Sequence, residues 1–549
     1  MHHPSVRLLS LAACLFGAAS HRTISADPSL DVTLTSGTFR GVTNSNGTDA
    51  WLGIPFAQPP IGPLRFKAPV PISRPSQGIQ DASQFGDACP QPPSSILGAN
   101  MSENCLFLNV WRPAGTPAGA QLPVMVWFYG GGYTINAASN PAYNPGRIIN
   151  QSVKFGKPIV FVSVNYRGNT FGFLASADVP PEDLNAGLLD QKAALVFTQE
   201  NIARFGGDPS KVTIWGQSAG AGSAEAHMLY GNEPGLFRAA IADSSTGPFK
   251  NAPYTWQYDK PGMPYSRLLA ATGCAAGPSS VSCLQQVPYE ALLNISNAMI
   301  DATVNGQLWE PSIGPSGSFA PERPSQRILS GNYFHVPYLG GTNVNEGTRY
   351  SQALYNLSLP PSEQTSAFND WMSKLVVDNS TLTHDILAGI DAFYPVNDNT
   401  YGGPWLTGDM LYDRAESWYT DEMYLAPKRF FFEHGTSFQP MWGYYFTEFI
   451  PGTSPALGVY HASELAFIFG PVPDTAETRF ADQMTEYWIN FVHEMDPGPD
   501  WPQYDTSSRC VMQLMRNNIT LVPDALRVDF SIARTNYLNS PSVLAAFEK

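Results

Sequence analysis

Two runs of this chain, VMVWFYG (124–130) and IVFVSVNY (159–166), are apolar almost without interruption over the length of a strand. A strand with one wet face alternates apolar and polar residues with a period of two. A continuous run has both faces in the interior, which requires helices above and below a largely parallel sheet. The segments that follow keep to this pattern. LLDQKAALVFTQENIARF (188–205) carries apolar residues at helical spacing and is stopped by Gly206-Gly207 and Asp208-Pro209. VTIWGQ (212–217) reads as a strand, 219–230 as a helix and AAIADS (239–244) as a strand. Such alternation is that of βαβ units, so an α/β fold is expected, with a central, mostly parallel sheet and helices on both faces. Further strands are expected at VPYLGGTN (336–343) and MWGYYFTEF (441–449), each after a long insertion of the kind that builds a pocket. No linker, repeat or low-complexity tract divides the chain, and a single domain over 21–549 is expected.

Residues 1–20 read as an export signal: Arg7 precedes an apolar run from Leu8 to Ala19, with small residues at Ala18 and Ser20. The run is shorter than the roughly 20 apolar residues that span a bilayer, which argues against an anchor. The net charge of −15 excludes nucleic acid and anionic membrane surfaces as expected partners, because both are bound through Lys and Arg. Of the six cysteines, Cys14 falls in the signal. The pairs Cys89/Cys105 and Cys274/Cys283 suit two short disulfide loops in an oxidising compartment, which leaves Cys510 odd. A zinc site is the alternative, but no C-x-x-C and no nearby His supports it. Sequons at Asn46, Asn100, Asn150, Asn294, Asn356, Asn379 and Asn518 fit a secreted glycoprotein.

Chemistry enters at Gly216-Gln217-Ser218-Ala219-Gly220, a G-x-S-x-G placed between a strand and a helix. A sharp strand-to-helix turn exposes the serine and leaves no room for side chains beside it, hence the glycines, and the helix N-terminus faces developing negative charge. Outside that context the same five residues would be a tight turn. Upstream, VMVWFY runs into Gly130-Gly131-Gly132, where Gly131 and Gly132 can offer bare N–H groups and Ala219 a third, to hold an oxyanion. A phosphate cradle is the rival, but no Lys follows at Walker spacing.

In the chain order that accompanies this motif, the acid and then the base follow the serine. His384, His434, His461 and His493 all lie beyond residue 346; three sit in helix-like sequence, and His461 sits in the loop GVYHAS. For the acid, Glu346 in GGTNVNEGT follows the strand 336–343 at a suitable loop position, and a solvated surface glutamate is an equal alternative from spacing alone.

At this point the chain resembles the type-B carboxylesterase/lipase family, which includes cholinesterases and fungal esterases and lipases. The resemblance rests on GIPFAQPPIGPLRFKAP (53–69), ENCLFLNVWRP (103–113), VWFYGGGY (126–133), VSVNYRGNTFGFLAS (162–176), NAGLLDQKAAL (185–195), NIARFGGDPSKVTIWGQSAG (201–220), NEGT (345–348) and GVYHASELAFIFG (458–470). It implies an α/β-hydrolase fold with large insertions forming the substrate pocket, and a Ser218–Glu346–His461 triad. It also implies an oxyanion hole of Gly131, Gly132 and Ala219, disulfides Cys89–Cys105 and Cys274–Cys283, and a hydroxyl of Ser244 beside the acid. There are departures: Gln217 stands where most members carry Glu, Asn104 precedes Cys105, and Asp243-Ser244-Ser245 replaces a common Gln-Ser-Gly. They bear on rate and pH profile more than on reaction type.

The expected activity is hydrolysis of short- to medium-chain or aromatic carboxylic esters through an acyl-enzyme, with no metal or cofactor and a small-molecule or lipid ester as substrate. A lipase or sterol esterase, and a feruloyl-type esterase, would show the same catalytic sequence. The 15-residue loop between Cys89 and Cys105 carries only Ile96, Leu97 and Met101 as large apolar residues, which disfavours a lipase lid, and lacks a Trp to hold a quaternary ammonium. A non-catalytic adhesion module is the rival outside the enzymes, and the intact triad argues against it. Oligomeric state is not legible.

Overall fold

The computed structural model describes residues 28–231, 235–244, 251–401, 403–473, 477–527 and 530–549. The export signal expected at 1–20, with Cys14, lies outside the described residues, as does Ser245.

Among the described residues the strands are, in chain order, β1 (Asp31–Leu34), β2 (Gly37–Arg40), β3 (Val42–Thr43), β4 (Thr48–Pro55), β5 (Ile79–Asp81), β6 (Phe107–Pro113) and β7 (Leu122–Phe128). They continue as β8 (Val160–Val164), β9 (Gly207–Gln217), β10 (Ala239–Asp243), β11 (Tyr338–Asn343), β12 (Met441–Phe446), β13 (Cys510–Leu514) and β14 (Thr520–Pro523). β1, β2 and β5 form a small sheet, and the other eleven form one large sheet in the order β14-β13-β12-β11-β10-β9-β7-β8-β6-β4-β3. From β8 to β13 every neighbouring pair is parallel; antiparallel strands close both edges. This is the mostly parallel sheet that the apolar runs demand. All five residues of β8 and of β10 are buried.

Helices cover both faces. In β11, Tyr338 and Gly341 are three apart and so point to opposite sides. The Tyr338 hydroxyl donates to Glu225 of the helix Ala219–Tyr230, whereas Gly341 pairs with Tyr444, whose ring meets Trp488 of the helix Thr478–Glu494. The principal core follows the sheet, with the rings of Trp127, Phe161 and Phe469 each meeting that of Trp215. A second buried cluster, around Phe368, Trp371, Trp418 and Tyr419, belongs mainly to the insertion after β11.

Two expectations shift. Asp208-Pro209 does not end the preceding helix ahead of a loop but lies within β9, which starts at Gly207; the register against β7 slips between Leu122 and Val124, and such an irregularity is where a strand tolerates a Pro. The strand expected at 441–449 stops at Phe446, and two strands that the sequence did not mark, β13 and β14, follow it.

The chain passes from β7 to β8 on one side and returns to β9 on the other. That reversal leaves a crevice beyond the carboxyl ends of β7 and β9, where open α/β sheets place their ligands.

Candidate active site

Gln217 closes β9 and Ser218 begins the turn into the helix Ala219–Tyr230. Ser218 has φ 57° and ψ −123°, a strained conformation for a residue with a Cβ, and its N–H is held by the carbonyl of Asp243 at 2.9 Å. The turn exists only because its neighbours lack side chains. A Cβ on Gly216 would stand 2.1 Å from the backbone of Gly220, and one on Gly220 would stand 2.0 Å from the carbonyl oxygen of Phe128. The Gly130–Gly132 segment leaves β7 beside it. Gly131 and Gly132 have φ of 131° and 60°, and neither N–H is taken by a protein acceptor among the described residues. Ala219 is the first residue of the helix, so its N–H is one of the free donors of a helix start.

On the other wall, Glu346 follows β11 and is fully buried. One carboxylate oxygen accepts from the Asn343 N–H at 2.7 Å; the other takes His461 Nδ1 at 2.6 Å. Asn345 joins the two loops. Its backbone pairs with Val459, its side-chain oxygen accepts from the Val459 N–H at 3.0 Å, and a Cβ on Gly458 would collide with that oxygen at 2.2 Å. The Asn343 amide reaches across to the carbonyl of Tyr460 and to Glu464. Hydrogen bonds between residues more than 110 apart thus carry His461 to Glu346.

The far ring nitrogen of His461, Nε2, lies 3.2 Å from the Gln217 amide nitrogen. The amide can only donate there, so Nε2 is an acceptor and the ring proton sits on Nδ1 against Glu346. Nε2 takes this bond from Gln217 rather than from Ser218 Oγ. The rings of Tyr350 and Tyr424 lie 5.4 and 5.1 Å from the imidazole, and the Tyr350 hydroxyl interacts with those of Tyr424 and Ser218. The structure therefore gathers Ser218, Gln217, His461, Glu346, Gly131 and Gly132 at one cleft of about 430 Å³, within the range of small-molecule sites. His384 and His434 lie in other helices, and His493 bonds to the carbonyl of Pro158.

Behind Glu346 lie two carboxyls that sequence reasoning did not assign to the site. Asp243 accepts from Trp215 Nε1 at 2.6 Å and from the Tyr444 hydroxyl at 3.2 Å. Burial is the main cause that pushes its pKa up to about 7, and the charge of Glu346 adds to it. Glu464 is raised well above its ordinary value by burial, then by Glu346 and Asp243. A carboxylate inside the apolar stretch HASELAFIF was the available signal for Glu464. Ser244 is buried with φ 55°, and its hydroxyl has no hydrogen-bond partner among the described residues, so no hydrogen bond ties it to the acid.

Residues 28–531 match the carboxylesterase family. This chain belongs to that family. As a carboxylesterase-family member it is a carboxylic ester hydrolase. It is 33% identical to a protein named secreted lipase 1 from Botryotinia fuckeliana, over 84% of this chain and 85% of that one. To a secreted triacylglycerol lipase of Gibberella zeae it is 31% identical, over 91% and 88%. The crystal structure of the Aspergillus niger esterase EstA superposes with a TM-score of 0.80 at 27% identity, covering 94% of this chain and 99% of that one. Disulfides join Cys89 to Cys105 and Cys274 to Cys283, and Cys510 is free. All seven sequon asparagines are exposed. No helix among the described residues is long and apolar enough to cross a membrane.

Proposed function

We propose that this carboxylesterase-family chain is an exported, glycosylated single-domain esterase that cleaves dissolved short- to medium-chain or aromatic carboxylic esters through an acyl-enzyme on Ser218. The observation that carries the mechanism is the imidazole of His461, clamped at Nδ1 by Glu346 with Nε2 left as an acceptor facing the cleft of Ser218. As Ser218 Oγ attacks the ester carbonyl, Nε2 takes its proton, which requires the Gln217 amide to yield that position. Glu346 stabilises the imidazolium, and the N–H groups of Gly131, Gly132 and Ala219 receive the oxyanion. The imidazolium returns the proton to the departing alcohol. Water then repeats the sequence on the acyl-enzyme and releases the acid.

The preference for dissolved esters is supported by the Cys89–Cys105 loop. Leu97 is 3% exposed against Ala88 and Ala137; its carbonyl accepts from Ser139 Oγ at 2.6 Å, and Gly98 lies so close to Ser139 that a Cβ would stand 2.1 Å from that residue's carbonyl oxygen. Gln91 exchanges two hydrogen bonds with the backbone of Asn136 on the cleft wall. A loop seated in this way is not free to act as a lid. The names of the fungal relatives favour a second reading, a lipase on long acyl chains. Export is supported by the two disulfides, the exposed sequons and those same names.

A panel of p-nitrophenyl acetate, butyrate, octanoate and palmitate, a triglyceride emulsion and methyl ferulate tests the reading, with Ser218→Ala as control. The expected outcome is fastest turnover of short or medium esters and a loss of at least about 10⁴-fold in the variant. Activity that survives in Ser218→Ala sinks the mechanism. Palmitate and emulsion as the best substrates favour the lipase.

A further inference from the structure

The chain carries 46 Asp and Glu against 31 Lys and Arg, yet among the described residues no carboxylate is on the wall of the cleft that holds Ser218 and His461; Glu346 lies buried behind His461. Among the described residues, the one permanently charged side chain on its wall is Arg349, three positions beyond Glu346. Its guanidinium carbon lies 4.2 Å from the centre of the Tyr460 ring, one residue before His461. This contact holds the guanidinium at the ring of Tyr460, and the exposed side chain makes no hydrogen bond among the described residues. Arg349 has no ion-pair partner among the described residues, although most arginines of this chain are paired: Arg65 with Glu103, Arg167 with Asp190, Arg414 with Asp391. The cleft is otherwise rich in neutral polar groups, including Thr134, Asn136 and Asn305.

We propose that the preferred substrates carry a carboxylate of their own, and that Arg349 binds it beside the scissile ester. The inference rests on the ester-cleaving reading of this cleft. An aliphatic chain laid over Arg349 would strip water from a cation and return no partner, at a cost. A carboxylate would replace that water with a charge-assisted, two-pronged hydrogen bond, which is stronger than a neutral one. The net acidity of the molecule repels such a substrate at long range, so recognition has to be local, and Arg349 is the cation that the described residues put on the cleft wall. The reaction is ordinary hydrolysis: water adds across the ester, one alcohol and one new acid leave, and the carboxylate on Arg349 is unchanged.

The test uses two matched pairs. Monoethyl adipate against ethyl hexanoate places the carboxylate on the acyl side; 4-acetoxybenzoate against 4-acetoxybenzamide places it on the alcohol side. In the wild type, kcat/KM is expected to favour the anionic member of one pair, and that pair names the side. Arg349→Met is expected to lower the anionic-to-neutral ratio about tenfold or more, chiefly through KM, and Arg349→Lys to keep a larger part of it. Should Arg349→Met fail to fold, Arg349→Gln, which keeps a polar side chain at the same exposed position and removes only the charge, gives the same reading: the anionic-to-neutral ratio falls about tenfold or more. A ratio that moves less than about twofold in both pairs overturns the inference. Turnover of the neutral esters with no Arg349-dependent ratio removes this inference alone, whereas no turnover of any of the four removes the ester-cleaving reading as well.

Discussion

Ser218 and His461 meet at one cleft, but the two walls that carry them are built on different physics. The serine wall is local and steric. Five consecutive residues make the turn, and the close approaches that define it are backbone against backbone at Gly216, Gly220 and Phe128. The histidine wall is long-range and polar. Asn343, Asn345 and Glu346 reach the loop at 459–461 across more than 110 residues of chain, and two more carboxyls, Asp243 and Glu464, lie buried behind them. A steric wall fails when a single atom is added and is indifferent to pH. A polar wall keeps its shape under isosteric change and answers to charge.

The largest expected effect comes from one added methyl group on the serine wall. Gly220→Ala sets a Cβ 2.0 Å from a carbonyl oxygen in the middle of the sheet, where neither backbone can move aside. Soluble yield, Tm and esterase activity should all collapse, with a destabilisation beyond about 4 kcal/mol. A folded, active Gly220→Ala protein would break the steric account of this wall. Next, Glu346→Gln keeps the shape of the buried acid and removes its charge. Here kcat should fall by about 10³–10⁴-fold with Tm nearly unchanged, the reverse pattern to Gly220→Ala. If stability and activity fall together instead, the two walls do not differ in the way described.

The smallest effect concerns Asp243. Its carboxyl, raised to about 7, keeps its proton in the folded chain while the unfolded chain releases it near the ordinary value of 3.8. The stabilisation of the folded state from this proton is therefore complete below pH 3.8 and is lost as pH rises towards 7. Asp243→Asn cannot release a proton. The stability of the wild type relative to this variant should drop by up to about 4 kcal/mol between pH 4 and pH 7, measured by denaturant titration at several pH values. Parallel curves across that range would show that Asp243 is ionised throughout.

The same contrast governs what could be read from the sequence. The serine wall was legible because its causes are adjacent: apolar runs at 124–130 and 212–217 dictate buried strands, and the glycines around Ser218 announce the turn. The histidine wall was not. Loop position favoured His461 over three helical histidines, Glu346 needed the family resemblance to choose it, and the hydrogen bond from Gln217 to His461 joins residues 244 apart. Tyr350 and Tyr424 carry no local signature, because each is drawn to the imidazole by tertiary packing and not by neighbours in the chain. The short strands β1, β2 and β3, of two to four residues each, are too brief for periodicity to mark them.

The seating of the Cys89–Cys105 loop by Leu97, Gly98 and Ser139 has a consequence for how substrate is supplied. On the proposed reading this loop need not peel back, and the cleft accepts single molecules arriving from water. Turnover then follows the free concentration of ester and levels off at its solubility limit; droplets beyond that limit act as a reservoir that refills the solution, and their surface area leaves the rate unchanged.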